Sequence, residues 1–581
     1  MDSKTQGMAP GTDYILDALA RENISHLFMV PGGLVDPFLP ALGRFPQIKP
    51  IVAAQEGGAA YMADGYARAS GRFGAALGIG GPGLGNMITA MAAARTDSSR
   101  VLILSGEVAV AMEGLGAFQD ASYETLDDPL LAAPVTRFST SVDAVQNLNH
   151  LFRRALMEMM GPPSGPVHLS LPHDVLTGTV SVAHDPIDPA LCHPHGIDAE
   201  MADRALAALR GDGTDGPAMR IAILAGAGVE HAAAGDKLIA LAERFSIPVA
   251  TTLRAKGVFP EDHPLSLGVF GYAGTRHATQ ALLSSGIDLL IVLGSGLNER
   301  DTMHWSSRLA PARGIVSVNL SPKALAMETA RGLGVVGDAG AFLDILAGAS
   351  NATALENGVT VRKEWIAAVR SGPRFYDTDH LDSDAVPIHP ARVVGALRKA
   401  LPRDGILLVD SGAHRAFSGH YFDAYAPRTY ISATNLGPMG WGIPAAIGAA
   451  CARPGTRVAL ITGDGCMQMH GIEIAVAARY RLPVTYVVLN NAALGNVWLR
   501  AHTLGPVPDE LTRIPDHDWA GFARALGVAA ETVRNPDEIA PALARAIATD
   551  GPCLIDFKTE RNAPTPVYDF AEEARRWSYH E

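Results

Sequence analysis

Two short segments late in the chain carry the residue types of a metal–diphosphate grip. The strand-like run VALIT enters Gly463-Asp464-Gly465, and a helical segment through Glu473 and Ala477 follows. Glycines let backbone approach a phosphate closely, and a helix N-terminus favours an anion. A second strand-like run, VTYVVLNN, ends at Asn490-Asn491, placing Asn491 27 residues beyond Asp464. Both side chains then fall at carboxyl ends of parallel strands, where open α/β sheets bind ligands, and can converge on one ion. Magnesium takes oxygen ligands in a near-octahedral shell, one or two from protein and the rest from phosphate and water. A carboxylate, an amide and a diphosphate fit that shell. Gly-Asp-Gly by itself is more often a tight turn; the pairing with Asn-Asn is what points to a cofactor.

Gly-Asp-Gly followed at this distance by Asn-Asn resembles the signature of thiamine-diphosphate-dependent enzymes. The resemblance implies that Asp464, Asn491 and the backbone oxygen of Ala493 hold Mg2+, with Gly463 and Gly465 beside the cofactor. IVAAQEGGAAYMADGYARASG resembles the segment carrying the family's catalytic glutamate, which puts Glu56 in that role, protonating the aminopyrimidine from largely apolar surroundings. NLGPMGWGIPAAIGAA resembles the segment that bends the cofactor into a V, with Gly437 in its turn and Met439 as the wedge. In LLVDSGAHRAFSG, His414 aligns with a residue near the diphosphate, and MVPGGLVDPF keeps Gly33 of the family's first loop. By residue type alone, Glu56 reads as a helix-start carboxylate, Met439 as core packing and His414 as a loop residue.

Across nearly the whole chain the order of segments is most similar to the acetohydroxyacid (acetolactate) synthase-like branch. LGAFQD puts Gln119 where that branch has an active-site glutamine. AGAGV, PVATTLRAKGVFPEDHPLSLGVFGYAGT and LGSGLNER resemble its flavin-binding domain, implying bound FAD without a redox role and a contact at Arg300. Read as residues, AGAGV is only a glycine-rich turn after a strand, and in many relatives this domain binds ADP or is an empty scaffold. The chain departs from the branch at Pro163 and Gly296, where synthases usually carry arginines, and at Ala492-Ala493, where many carry a Gln-His pair. The resemblance implies a carboligase or lyase acting on pyruvate or another 2-keto acid. The alternatives are a 2-hydroxyacyl-CoA lyase, a benzoylformate-type decarboxylase or a cyclic-diketone hydrolase with the same cofactor. Intact Glu56, Asp464 and Asn491 argue against a non-catalytic subunit. Sites in this family lie between subunits, so the expected assembly is a homodimer or homotetramer.

Positioning these groups requires α/β domains. At 581 residues the chain exceeds the roughly 250–300 residues at which single cores stop growing, and helical patterns alternate with short β-branched runs. We expect three consecutive doubly wound parallel-sheet domains: pyrimidine-binding (10–180), central (199–350) and diphosphate-binding (385–560). Pro- and Asp-rich tracts at 181–198 and 371–390 read as linkers, and 561–581 as a tail with lid potential. The third unit's period resembles the first's, without a residue-level repeat. A net charge of −13 disfavours nucleic-acid and anionic-membrane partners. No apolar run reaches the roughly 18–20 residues of a spanning helix, and no signal-peptide pattern opens the chain. Four scattered cysteines read as buried thiols, so the expectation is a soluble, cytoplasmic, small-molecule enzyme.

Overall fold

Val101–Glu107, Leu289–Leu293 and Val458–Gly463 are buried at every position, with no polar alternation. Strands buried on both faces belong to parallel sheets covered by crossover helices, and that architecture recurs throughout. The computed structural model describes residues 8–192, 196–210, 218–284, 286–326 and 332–567, which form three six-stranded sheets in succession.

The first domain opens with β1 (Ala9–Pro10) and builds its sheet from β2 (His26–Met29), β3 (Lys49–Val52), β4 (Gly74–Ile79), β5 (Val101–Glu107), β6 (Phe138–Ser141) and β7 (Val167–Pro172). β8 (Thr179–Val180) then returns to pair antiparallel with β1. The central sheet contains β9 (Ile221–Ala225), β10 (Val249–Thr251), β11 (Ser266–Val269), β12 (Leu289–Leu293), β13 (Ile315–Asn319) and β14 (Gly332–Val336). The third contains β15 (Ile406–Val409), β16 (Tyr430–Ile431), β17 (Val458–Gly463), β18 (Val484–Asn490), β19 (Ala529–Val533) and β20 (Cys553–Lys558).

Strand orders are β3-β2-β4-β5-β7-β6, β11-β10-β9-β12-β13-β14 and β16-β15-β17-β18-β20-β19, parallel throughout. Numbered within each domain, the first and third sheets share one order, 2-1-3-4-6-5, while the central sheet is 3-2-1-4-5-6. The repeat that residue identities do not reveal is therefore a repeat of topology. In each sheet the order reverses beside the first strand, and crevices at carboxyl ends open at such switch points.

First and third domains share one continuous hydrophobic core, which runs from Leu27 and Ile103 through Trp441 and Ile447 to Leu460 and Val488. At its centre the helix Glu56–Ser70 packs on the helix Gly442–Ala452. A Cβ on Gly448 would lie 1.8 Å from the Met62 carbonyl oxygen, and one on Gly65 2.1 Å from that of Ala445. Glycine at both positions is what lets the two backbones touch. A buried polar chain ties the seam: the Trp441 indole donates to Asp64 at 2.7 Å, and Arg68 bridges Asp64 (2.8 Å) and Asp97 (2.9 Å).

Two details differ from the sequence reading. The helical segment after Asp464 is broken, because Asp464–His470 gives way to a 3-10 turn at Gly471–Glu473 before the helix Ile474–Tyr480. Beyond Leu346 the helix Val359–Arg370 adds Trp365, Ile366 and Val369 to the central domain's packing. The proposed lid helix, with Trp577 and Tyr579, lies outside the described residues. All four cysteines are buried and unpaired, and among the described residues no helix is long and apolar enough to cross a membrane.

Candidate active site

The third sheet's switch point gathers the predicted grip. Asp464 follows β17 and Asn491 follows the adjacent β18, so both project from neighbouring strand tips. The N–H of Ala493 donates to Asp464 Oδ2 and to Asn491 Oδ1, both at 3.2 Å, and Asp464 Oδ1 accepts from the N–H of Gly465 at 2.9 Å. One carboxylate oxygen and one amide oxygen therefore face the same point, the oxygen pairing a hard divalent cation takes from protein. Burial pushes the Asp464 pKa up to about 6, against three backbone N–H groups that favour the charged form. A cation there would remove that penalty.

A cavity of 140 Å3 opens beside these oxygens, and Gly463, Asp464, Gly465, Asn491, Ala493, His414 and Met439 all line it. A Cβ on Gly465 would sit 2.9 Å from Leu494 and 3.0 Å from the Met439 methyl; one on Gly463 would sit 3.2 Å from the His414 ring. These glycines are required by close packing around the cavity. Gly437 stands just outside it with φ +64°, a left-handed turn beside Arg415 that suits glycine. Burial, with help from Arg415, pulls the His414 pKa down to about 3, so the ring is neutral. Its Nε2 is buried without a partner among the described residues, a free position for a cofactor oxygen.

Three residues that the sequence reading passed over shape this site. Asp410, at the tip of β15, accepts from Ser411 N–H (2.8 Å) and Gly440 N–H (3.0 Å), pinning the turn that carries Met439. Arg561 lines the cavity and donates to the Asn491 carbonyl at 3.1 Å, placing a cation on the cavity wall. Glu473 is fully buried and accepts from Ala54 N–H (3.1 Å) and Gln55 N–H (3.2 Å), immediately ahead of Glu56. Burial pushes its pKa up to about 7. A strand-tip acid was a usable signal for Asp410; nothing local in sequence marks Glu473, whose partners lie more than 400 positions away.

Glu56, Gln119 and Gly33 do not line this cavity. Glu56 begins the helix Glu56–Ser70, half-buried, and accepts from Asn86 Nδ2 at 2.9 Å. Among the described residues Glu56 is only half-buried, short of the apolar enclosure expected for it. Gln119 occupies a left-handed conformation, φ +62°, on a loop anchored from below. Glu107 accepts from Val108 N–H and Ala121 N–H at 2.8 and 3.1 Å, and Asp128 accepts from Gly81 N–H at 3.0 Å. Burial pushes the Asp128 carboxyl up to about 7. Gly33 is exposed, and a Cβ there would meet nothing within 4 Å. Met112, Leu115, Phe118, Tyr123, Leu126 and Leu130, on and beside the Gln119 loop, are all more than half exposed.

At the central switch point two cavities of 280 and 190 Å3 adjoin, sharing Ala227, Arg254, Gly294, Gly296, Asn298 and Asn435. The divergent Pro163 and Gly296 both line this groove. Arg300 lies at its end, its guanidinium 4.5 Å from the Tyr272 ring centroid. A Cβ on Gly226 would lie 2.5 Å from the Gly294 carbonyl oxygen, so the AGAGV glycine first serves contact between strand tips.

Family models described as thiamine pyrophosphate enzyme N-terminal TPP binding, central and C-terminal TPP binding domains match residues 10–127, 217–346 and 410–557. The chain is 33% identical over 565 residues to a protein of Methanocaldococcus jannaschii described as a probable acetolactate synthase large subunit, covering 96% of this chain and 93% of that one. It is 30% identical over 549 residues to a glyoxylate carboligase of Escherichia coli O157:H7, covering 92% and 90%. A solved structure described as a thiamin diphosphate-dependent enzyme of Mycobacterium smegmatis superposes with a TM-score of 0.78 at 25% identity, over 95% of this chain and 100% of that one. With three domain models matched in order and a relative this similar along its whole length, the chain belongs to the thiamine pyrophosphate enzymes and is a thiamine-diphosphate-dependent carboligase of their acetolactate synthase-like branch.

Proposed function

We propose that the protein condenses two 2-keto acids, with pyruvate as the leading donor: one carboxylate leaves as carbon dioxide and the remaining acyl unit joins the second keto carbon. Thiamine diphosphate supplies a nucleophilic C2 and an electron-accepting thiazolium ring when bound. Asp464, Asn491 and the Ala493 carbonyl would hold Mg2+, and neutral His414 and Arg561 would bind phosphate oxygens. Met439, which lines the cavity, would pack against the cofactor's rings. Glu56 holds a proton at the aminopyrimidine ring nitrogen, and Gln119 orients the acceptor. The observation that carries this reading is the convergence of two strand-tip oxygens on one N–H beside a cavity lined by His414 and Met439.

Glu56 does not line the cavity beside the grip in its own chain, which supports a reaction centre completed by a second chain. The exposed apolar side chains around Gln119 support a homodimer, or a tetramer built from it, that covers this face and encloses Glu56. The central groove suits a nucleotide, FAD in our reading, with Arg300 and Tyr272 at one end and no redox task. Incubation of purified protein with Mg2+, thiamine diphosphate and pyruvate or glyoxylate should release carbon dioxide and a hydroxy-keto acid. Mass spectrometry of cofactors freed by denaturation tests the flavin. Aldehyde as the sole product from every keto acid offered would make the protein a decarboxylase and sink the carboligase reading.

A further inference from the structure

A further cavity of 140 Å3 lies where all three domains meet, walled by the end of the first domain's long helix, the loop 97–100, the central segment 227–231 and residues 428–432, and it adjoins the central groove through Arg100, Ala227 and Arg254. Five arginines line it, Arg68, Arg72, Arg100, Arg254 and Arg428, against two carboxylates, Asp97 and Glu230. The acids are already engaged. Asp97 accepts from Arg68 and from the backbone of Thr434 and Asn435, and Glu230 pairs with Arg428 at 3.3 Å. Among the described residues the guanidiniums of Arg100 and Arg254 have neither a hydrogen bond nor an ion pair within 4 Å, although Asp97, Glu230 and Asp301 act on Arg254 from farther away. Three more polar atoms on this wall, Arg68 Nη2, Ser99 Oγ and Tyr430 OH, are buried without partners.

Guanidiniums half-withdrawn from water and facing one another repel in a low local dielectric, and unpaired buried donors cost free energy. Burial and the Arg428 guanidinium both pull the Arg100 pKa down, the mark of a cation without its anion. An oxyanion with three or four acceptor oxygens can satisfy several such donors, bidentately where it meets an arginine fork. At 140 Å3 the cavity is several times the roughly 10–15 Å3 that a single bound water needs, enough for a phosphate-sized group.

We propose that this three-domain junction binds a phosphate group, held by Arg100, Arg254 and the free edge of Arg68, at a site separate from the cofactor grip. The proposal does not depend on which keto acid the enzyme uses. The group is inorganic phosphate, or the phosphate of a ligand other than a nucleotide held in the adjoining groove.

Inorganic phosphate titrated into the cofactor-loaded protein, at ionic strength fixed with chloride, tests the site by calorimetry and thermal unfolding. We expect saturable binding of one phosphate per chain that persists when ADP or FAD is saturating. Arg100→Met and Arg254→Met should each weaken it at least tenfold. Phosphate-free Arg100→Met should melt above wild type, because it removes an unpaired charge; Arg254→Lys, which keeps charge but loses the fork, should show an intermediate affinity. No saturable phosphate response in wild type overturns the proposal, as does equal binding by both methionine variants. One-for-one displacement of phosphate by ADP also overturns it, by assigning these arginines to the nucleotide groove.

Discussion

Asp464 Oδ2 and Asn491 Oδ1 lie at the same 3.2 Å from a single donor, the N–H of Ala493. That N–H holds two oxygens from different strands in one orientation before any cation arrives, so little reorganisation accompanies metal binding. Asp464→Asn should therefore weaken Mg2+–thiamine diphosphate binding at least about 100-fold, some 2.7 kcal/mol, and Asn491→Ala about tenfold or more. Cofactor titration followed by intrinsic fluorescence measures both, and wild-type affinity in the Asp464 variant would end the assignment of this site.

Glu56 separates binding from chemistry. Glu56→Gln preserves shape and the acceptor for Asn86 while losing the titrating proton, so cofactor affinity should stay within a few-fold. Turnover should fall about 10²–10⁴-fold, the usual worth of a positioned acid or base. Proton–deuterium exchange at the bound cofactor's C2, followed by NMR, should slow in parallel; an unchanged exchange rate would remove Glu56 from cofactor activation.

Shared sites make a sharp complementation experiment. Glu56→Gln and Asp464→Asn are each expected to be inactive, yet a mixed dimer contains one site with both residues intact. Random reassortment of the two variants should restore about a quarter of wild-type activity, given a two-fold symmetric pairing. Hybrids with no regained activity would show that each chain builds its site alone.

Buried carboxyls beneath the Gln119 loop set a pH signature. The folded-state pKa of Asp128, about 7, stands above the ordinary carboxylate value, so the folded protein holds this proton more tightly than the unfolded chain. Its contribution to stability is intact below about pH 4, declines as pH climbs towards about 7, and then levels off. Asp128→Asn retains an acceptor for Gly81 and should flatten that decline by a few kcal/mol, at roughly 1.4 kcal/mol per pKa unit. Urea midpoints at pH 5 and pH 8 report the difference, and identical pH slopes in the two proteins would contradict it.

Backbone contact between the first and third domains tolerates no added carbon. Gly448→Ala places a methyl 1.8 Å from the Met62 carbonyl oxygen, inside a seam that neither helix can leave without breaking the shared core. We expect a loss of about 3 kcal/mol or more, the upper range for overpacked cores. Denaturant unfolding checks this, with Gly455→Ala, at an exposed turn in open space, as the milder comparison.

What the amino-acid order determined by itself is local. The apolar runs ending in Gly463-Asp464 and Asn490-Asn491 were legible because a doubly buried strand and a ligand-bearing tip are both written in consecutive residues. The same holds for the three α/β domains, the Gly-rich turns and the segment carrying Met439. Tertiary structure alone decided which distant groups meet. Glu473 reaches the backbone ahead of Glu56, Asp410 pins the Met439 turn, and Arg100 and Arg254 converge from separate domains on one cavity. The common order of the first and third sheets was likewise invisible, since topology constrains hydrogen-bonded neighbours without requiring similar residues. A polar side chain's role depends on which charges and donors surround it in space, and the folding of the domains against one another sets that, not spacing along the chain.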